Sequence, residues 1–194
     1  FDVMLEEIKK AEKFIFMEYF IIEEGIMFNS ILSILEEKVK QGVEVRVMYD
    51  DMGSLGTLPA SYAKQLEKKG IKAVSFNRIS PIINTIMNHR DHRKIMVIDG
   101  KVAFSGGANL ADEYINKKVK YGHWMDNIIC IKGKAVWSYL VMFLTNWNAL
   151  RHEDEDYTIF KSEIIEDETL YDGYIAPYAE TPLDEGLTGQ SVYE

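Results

Sequence analysis

The spacing of apolar positions changes several times along the chain, and each change marks an element. Residues 2–12 read as a short helix. Residues 14–22 form an apolar run broken only by Glu18. The run is rich in aromatic and β-branched side chains and short for a helix, so it predicts a buried strand. Over 26–41, Phe28, Ile31, Leu32, Leu35 and Val39 fall on one helical face, and Gly42 provides the stop. Residues 43–49 alternate as a strand, and 50–56 read as a glycine-containing loop. Pro59 opens a helix that runs to Gly70, and 71–76 form a third strand. The order β-α-β-α-β predicts parallel strands with helices over the faces of the sheet.

Beyond residue 76 the rhythm differs. Residues 77–91 read as a loop. Two short strands, 94–98 and 101–105, flank Asp99-Gly100, a hairpin dipeptide. A further strand covers 127–131, with Cys130 expected as a buried, reduced core residue. A closing helix over 134–149 carries Val136, Leu140, Phe143, Leu144 and Trp147 on one broad face.

Composition narrows the classes. The 194 residues are 47% apolar, enough for a sizeable core. A single cysteine rules out an intrachain disulfide framework and a cysteine-based zinc site. No apolar run approaches the roughly 18–20 residues needed to span a bilayer. The net charge of −9 is unevenly placed: residues 153–194 hold 13 acids and one base, leaving 18 acids and 21 bases in residues 1–152. The first part is therefore slightly basic, and the acidic stretch after it is expected as a solvated linker over 153–170. Tyr171, Tyr174, Ile175, Pro177 and Tyr178 then suggest that 171–194 begin a further folded unit. With Phe1 in place of Met, the chain is expected to be part of a longer protein.

The candidate chemistry lies between His89 and Asp126. Residues 92–99 fit the pattern H-x-K-x-x-x-x-D through His92, Lys94 and Asp99. Positions i and i+2 of a strand share a face, so His92 and Lys94 point the same way if that strand begins at His92. An imidazole beside an ammonium suits a phosphate: the cation neutralises oxygen charge while the ring attacks phosphorus or moves a proton. Asp99 falls at the hairpin, as a turn residue, an orienting acceptor, or both. Ser105-Gly106-Gly107-Ala108-Asn109 follows, with two glycines that let backbone approach an anion and an asparagine amide as a further donor. Asp126 adds a carboxylate ahead of the 127–131 strand. Competing assignments are plainer. His89 suits a rim or structural role, His123 a supporting one and His152 an exposed one. Asp50-Asp51 reads as a loop cap ahead of a cation site. His89, Asp91 and His92 lack the spacing of a metal set. Arg78, Arg90 and Arg93 face anionic headgroups or simply solvate a loop. Trp124 and Trp137 are expected in the core.

Three stretches together carry a resemblance: residues 42–54 (GVEVRVMYDDMGS), residues 92–109 and residues 121–126 (YGHWMD). They are similar to the first half of the phospholipase D superfamily, and within it to bacterial cardiolipin synthases. The resemblance implies an α/β/α sandwich: a mixed β-sheet flanked by helices over residues 1–152. It implies a site shared between two such halves, the second motif lying outside this chain. It also implies a phosphohistidine intermediate, with no metal and no cofactor. By position His92 is the nucleophile, with Lys94 and Asp99 as the other motif residues. Lys94, Asn109 and the backbone at Gly107 hold phosphate oxygens; many relatives carry serine where Gly107 stands. Asp126 orients the histidine through its other ring nitrogen. The implied substrate is phosphatidylglycerol or another anionic phospholipid, and the implied partner a second phospholipase D-like half of the same polypeptide. The intact enzyme is expected at the bacterial cell membrane, with the active domain facing the cytoplasm and this part of it soluble. Two further readings are a single-motif phosphodiesterase or nuclease completed by homodimerisation and a non-catalytic lipid-binding module. The −9 charge makes nucleic acid the less expected partner.

Overall fold

A computed structural model of the chain describes residues 1–78, 90–163, 175–179 and 191–192. The helices are α1 (Asp2–Lys9), α2 (Ile26–Lys40), α3 (Tyr62–Lys68) and α4 (Val136–Arg151). The strands are β1 (Phe14–Tyr19), β2 (Glu44–Asp50), β3 (Lys72–Phe76), β4 (Lys94–Ile98), β5 (Val102–Gly106) and β6 (Ile128–Lys132). They form one sheet in the order β3-β2-β1-β4-β5-β6. The first three strands are parallel, as the alternation with helices predicts, while β4, β5 and β6 each run antiparallel to the preceding neighbour in the sheet. The result is a mixed sheet with helices on both faces.

Strand periodicity sorts the core into two layers. Ile15, Met17 and Tyr19 of β1 and Val45, Val47 and Tyr49 of β2 face one way, into the residues of α1, α2 and α3. Phe14, Phe16, Met48, Ile95 and Val97 face the other way, against Leu140, Phe143, Leu144 and Trp147 of α4. Strands β1, β2 and β4 are buried on both faces, which explains their nearly continuous apolar sequence. Close approaches set the connections. A side chain at Gly25 would collide with the Asp112 carboxylate at 2.6 Å, because that carboxylate accepts the first free N–H groups of α2 from Ile26 and Met27.

One expectation needs correction and a second is refined. Cys130 is exposed, because β6 is the outermost strand and buries only Ile131. The acidic stretch leaves Glu153, Asp154 and Asp156 exposed, but Glu155 turns inward. Arg46, 1% exposed on β2, receives a two-pronged ion pair from Glu155 at 2.7 and 2.9 Å. Asp156 caps a 3-10 turn over Tyr157–Phe160, and Phe160 packs at an edge-on angle against Phe14 and Phe16. Residues 153–160 thus dock beside α4, because a buried guanidinium needs an acid and the acids are there. Most of 164–194, including the start expected for a further unit, lies outside the described residues. So does His89.

Candidate active site

The site is built where the C-terminal end of β1 meets the N-terminal end of β4. Three loops are tied together there by Asp50, which is fully buried at the end of β2. Its Oδ1 accepts from the N–H groups of Met52 and Gly53 at 2.9 Å each, so it caps its own loop, as read from the sequence. Its Oδ2 accepts from the N–H of Asp91 at 3.0 Å, and the Arg90 guanidinium lies 3.3 Å from Oδ1. Asp50 therefore fixes the two residues that precede His92. The same loop braces the end of β1: Ser54 Oγ accepts from the N–H of Ile22, and Gly53 lies so close to the Phe20 carbonyl that no side chain would fit.

The structure brings His92 and Lys94 together. Lys94 Nζ lies 3.0 Å from His92 Nδ1 and also donates to the His92 carbonyl. The Phe20 ring packs against His92 with centroids 4.8 Å apart, and lies under the Lys94 ammonium at 5.4 Å. His92 is exposed to an incoming substrate, whereas Lys94 is only 4% exposed. Burial, and then the Lys94 charge, push the His92 imidazole below its usual range, which favours the neutral ring. Burial pushes Lys94 down to about 8, with Asp91 and Asp126 resisting. A cleft of about 390 Å³ opens here, lined by His92, Lys94, Ser105, Gly106, Tyr139 and Met142, with residues 176–179 along one side. That volume falls within the range of small-molecule sites, about 300–1,000 Å³. A wider, open hollow beside α1 and α2, lined by Leu5, Ile26, Asn29 and Ile34, presents no histidine. Among the described residues no cluster of three or more His, Cys, Asp or Glu side chains could hold a metal ion.

The other sequence-predicted residues sit less directly. Asp99 is at the opposite end of β4, five residues from Lys94, about 16 Å at the rise of a strand. Its carboxylate accepts three N–H groups, from Glu12, Lys13 and Phe14, at 2.8 Å each. Asp99 thus stands as an acceptor that clasps the start of β1, away from His92 and Lys94. Asn109 is buried. Its Oδ1 accepts from the N–H of Ile21 and its Nδ2 donates to the Tyr114 hydroxyl, both at 2.9 Å. Gly107 donates its N–H to the Asn127 carbonyl, and a Cβ there would lie 2.2 Å from Asp126 Oδ1. The Asp126 carboxylate thus fills the space of the missing side chain, where it accepts from Trp124 Nε1 and the N–H of Asn127. In this arrangement the Lys94 ammonium, not Asp126, meets His92 Nδ1. His123 is exposed, and His152 ends α4 in the left-handed region at φ 56°. Trp124 and Trp137 are partly buried.

One residue escaped notice. Glu18, the lone acid in the β1 run, is fully buried beside this site. Its signal was the interruption itself, since an ionisable group inside a two-sided apolar strand must have a partner.

Comparison with known proteins fits this geometry. The family described as "Cardiolipin synthase, PLD-like domain" matches residues 4–142. The chain belongs to the cardiolipin synthase family of phospholipase D-like domains. It is similar to an uncharacterized protein of Streptococcus mutans, 51% identical over 193 residues, spanning the whole of this chain and 41% of that protein. It is also similar to a cardiolipin synthase of Oceanobacillus iheyensis, 40% identical over 161 residues, covering 81% of this chain and 33% of that one. The chain therefore spans a third to two fifths of these relatives. Among solved structures it shares its fold with Nuc of Salmonella typhimurium, a phospholipase D family member. The TM-score is 0.57 at 22% identity, over 76% of this chain and 86% of that one.

Proposed function

We propose that this domain is the first catalytic half of a phosphatidyltransferase that joins two phosphatidylglycerols and releases glycerol. The observation that carries the reading is the 3.0 Å contact between His92 and the buried Lys94 at an open cleft, in a domain of the cardiolipin synthase family. Substrate phosphate would draw the Lys94 ammonium onto its oxygens and away from His92 Nδ1. The freed Nδ1 then carries the ring proton, with Asp126 as the acceptor this reading assigns to it, and Nε2 presents its lone pair. That lone pair attacks phosphorus, and the bond from phosphorus to the glycerol oxygen breaks. The leaving alkoxide takes a proton from the histidine of a second motif outside this chain. The glycerol headgroup hydroxyl of a second phosphatidylglycerol then gives its proton back to that second histidine and displaces His92 from phosphorus. Splitting the transfer into two displacements means that two lipids need never be aligned at once. Anionic phospholipid at a bacterial membrane is the substrate source in this reading. No helix among the described residues is long and apolar enough to cross a membrane.

The test is His92→Asn in the protein at its natural length, assayed on phosphatidylglycerol vesicles. Cardiolipin formation should vanish, and the parent should yield an acid-labile phosphoryl adduct on His92. Undiminished turnover by the variant would remove His92 from the reaction. Efficient turnover by the 194-residue chain as a monomer would overturn the two-half site. DNA cleavage by a homodimer of this chain, without lipid transfer, would replace the reading with a nuclease.

A further inference from the structure

Glu18 stands on β1 opposite Ile95 of β4, on the side of the sheet covered by α4. Asn146 of α4 donates to its Oε1 at 2.8 Å. Its other oxygen, Oε2, is buried and accepts from no donor among the described residues. The carboxyl of Asp91, itself 6% exposed and one residue before His92, lies near enough to act on the Glu18 carboxyl. Arg93 lies between them, 3.7 Å from Glu18 Oε1 and 3.8 Å from Asp91 Oδ1. Two ionised carboxylates have only acceptors to offer each other, so a hydrogen bond between them requires a proton on one. With that proton on Glu18, the orphan Oε2 becomes a donor and the cluster of two acids and one guanidinium becomes neutral.

We propose that Glu18 is a positioning residue for His92: its neutral carboxyl group donates a hydrogen bond to Asp91 and so holds the segment that carries His92 and Lys94. Asp50 grips this segment from the β2 side, through the N–H of Asp91. Glu18 grips it from the α4 side, through the Asp91 side chain, and the two clamps together fix the backbone of residues 91–94. Among the described residues, the charged groups that act on Glu18 are Asp91 and Arg93 from that segment; α4 contributes the uncharged Asn146, and Asp50 accepts from the N–H of Asp91. Burial, and then Asp91, push the Glu18 carboxyl well above its ordinary range, against the weaker pull of Arg93 and Asn146. That direction agrees with the proton that the unpartnered Oε2 calls for on geometric grounds.

The proposal rests on the reading of His92 as the reacting group, and its test separates the two. Glu18→Gln keeps the shape and can donate to Asp91 while accepting from Asn146; Glu18→Leu keeps neither bond. In the protein at its natural length at pH 7, the infrared spectrum should show a protonated-carboxyl C=O stretch that E18Q removes. The NMR resonances of the His92 imidazole should stay in place in E18Q and move in E18L. Turnover of phosphatidylglycerol should persist in E18Q and fall about tenfold or more in E18L, in kcat more than in KM. Absence of the infrared band, or a displacement of His92 in E18Q as large as in E18L, would overturn the proposal. E18Q alone decides it if E18L is too unstable to purify. Should no protein turn over the lipid while the spectra behave as expected, Glu18 keeps its role and the transferase reading fails.

Discussion

Lys94 carries its charge at a cost. Its proton is held less tightly in the fold than in the unfolded chain, at about 8 against an ordinary 10.5. Folding is therefore penalised at every pH below about 8, where both states are protonated, and the penalty fades as pH rises toward 10.5. At neutral pH the penalty is on the order of 3 kcal/mol at 1.4 kcal/mol per pKa unit. Lys94→Met should raise the thermal unfolding midpoint at pH 7 while abolishing turnover, a stability gain bought with function. The same shift shapes the activity profile. Phosphate binding needs the ammonium, so kcat/KM should fall as pH rises through about 8. The acid limb should lie below the usual histidine range, since burial and Lys94 hold His92 neutral. A parent profile flat to pH 10 would show that the ammonium is not required. The pairing of His92 with Lys94 was suggested by their two-residue spacing, although β4 begins only at Lys94 and His92 lies in the loop before it. The partner of Nδ1 was not, since the position of Asp126 depends on the space left at Gly107.

Between elements, the Asp99 clasp joins the β4–β5 hairpin to the entry of β1. Three charged hydrogen bonds are lost in Asp99→Ala, and the N–H of Phe14 is left buried. The expected loss of stability is about 2–4 kcal/mol, read as a lower urea midpoint at unchanged slope. The kcat of the folded variant should stay near the parent's, since the clasp lies at the far end of β4; a large drop in kcat with normal stability would return Asp99 to the chemistry. The hairpin itself was readable from Asp99-Gly100, a local signal. The clasp was not, because its donors lie 85 to 87 positions earlier in the chain. The parallel half of the sheet was similarly readable from alternating strand and helix periods. The insertion of β4 beside β1 had no local sign and follows from how the two apolar layers close.

Across the whole molecule, the docking of residues 153–160 turns an acidic stretch into a brace. Burial works against the Arg46 charge, yet Glu155 and Glu44 more than offset it. The guanidinium also lies over Phe16, Phe160 and Trp147, at 4.6, 5.0 and 5.3 Å from their ring centroids. Glu155→Ala should cost about 2–3 kcal/mol, because it leaves a buried cation with one partner in place of two. Thermal unfolding should then come several degrees lower, with turnover intact. An unchanged midpoint would mean that this segment leaves the body of the domain in solution. The inward turn of Glu155 had no local sign: charge density signals solvation only where no buried opposite charge awaits it, and Arg46 sits in a strand 109 residues away.

The exposed Cys130 is the sole thiol of the chain, on the outermost strand and paired with Phe104 of β5. A nitroxide or fluorophore can therefore be attached at one known place without first removing other cysteines. Burial raises the thiol above its usual range, so coupling proceeds best in mildly alkaline buffer. Seated opposite Phe104, on the face of the sheet that carries α1, such a reporter would sense a partner arriving at that face in real time.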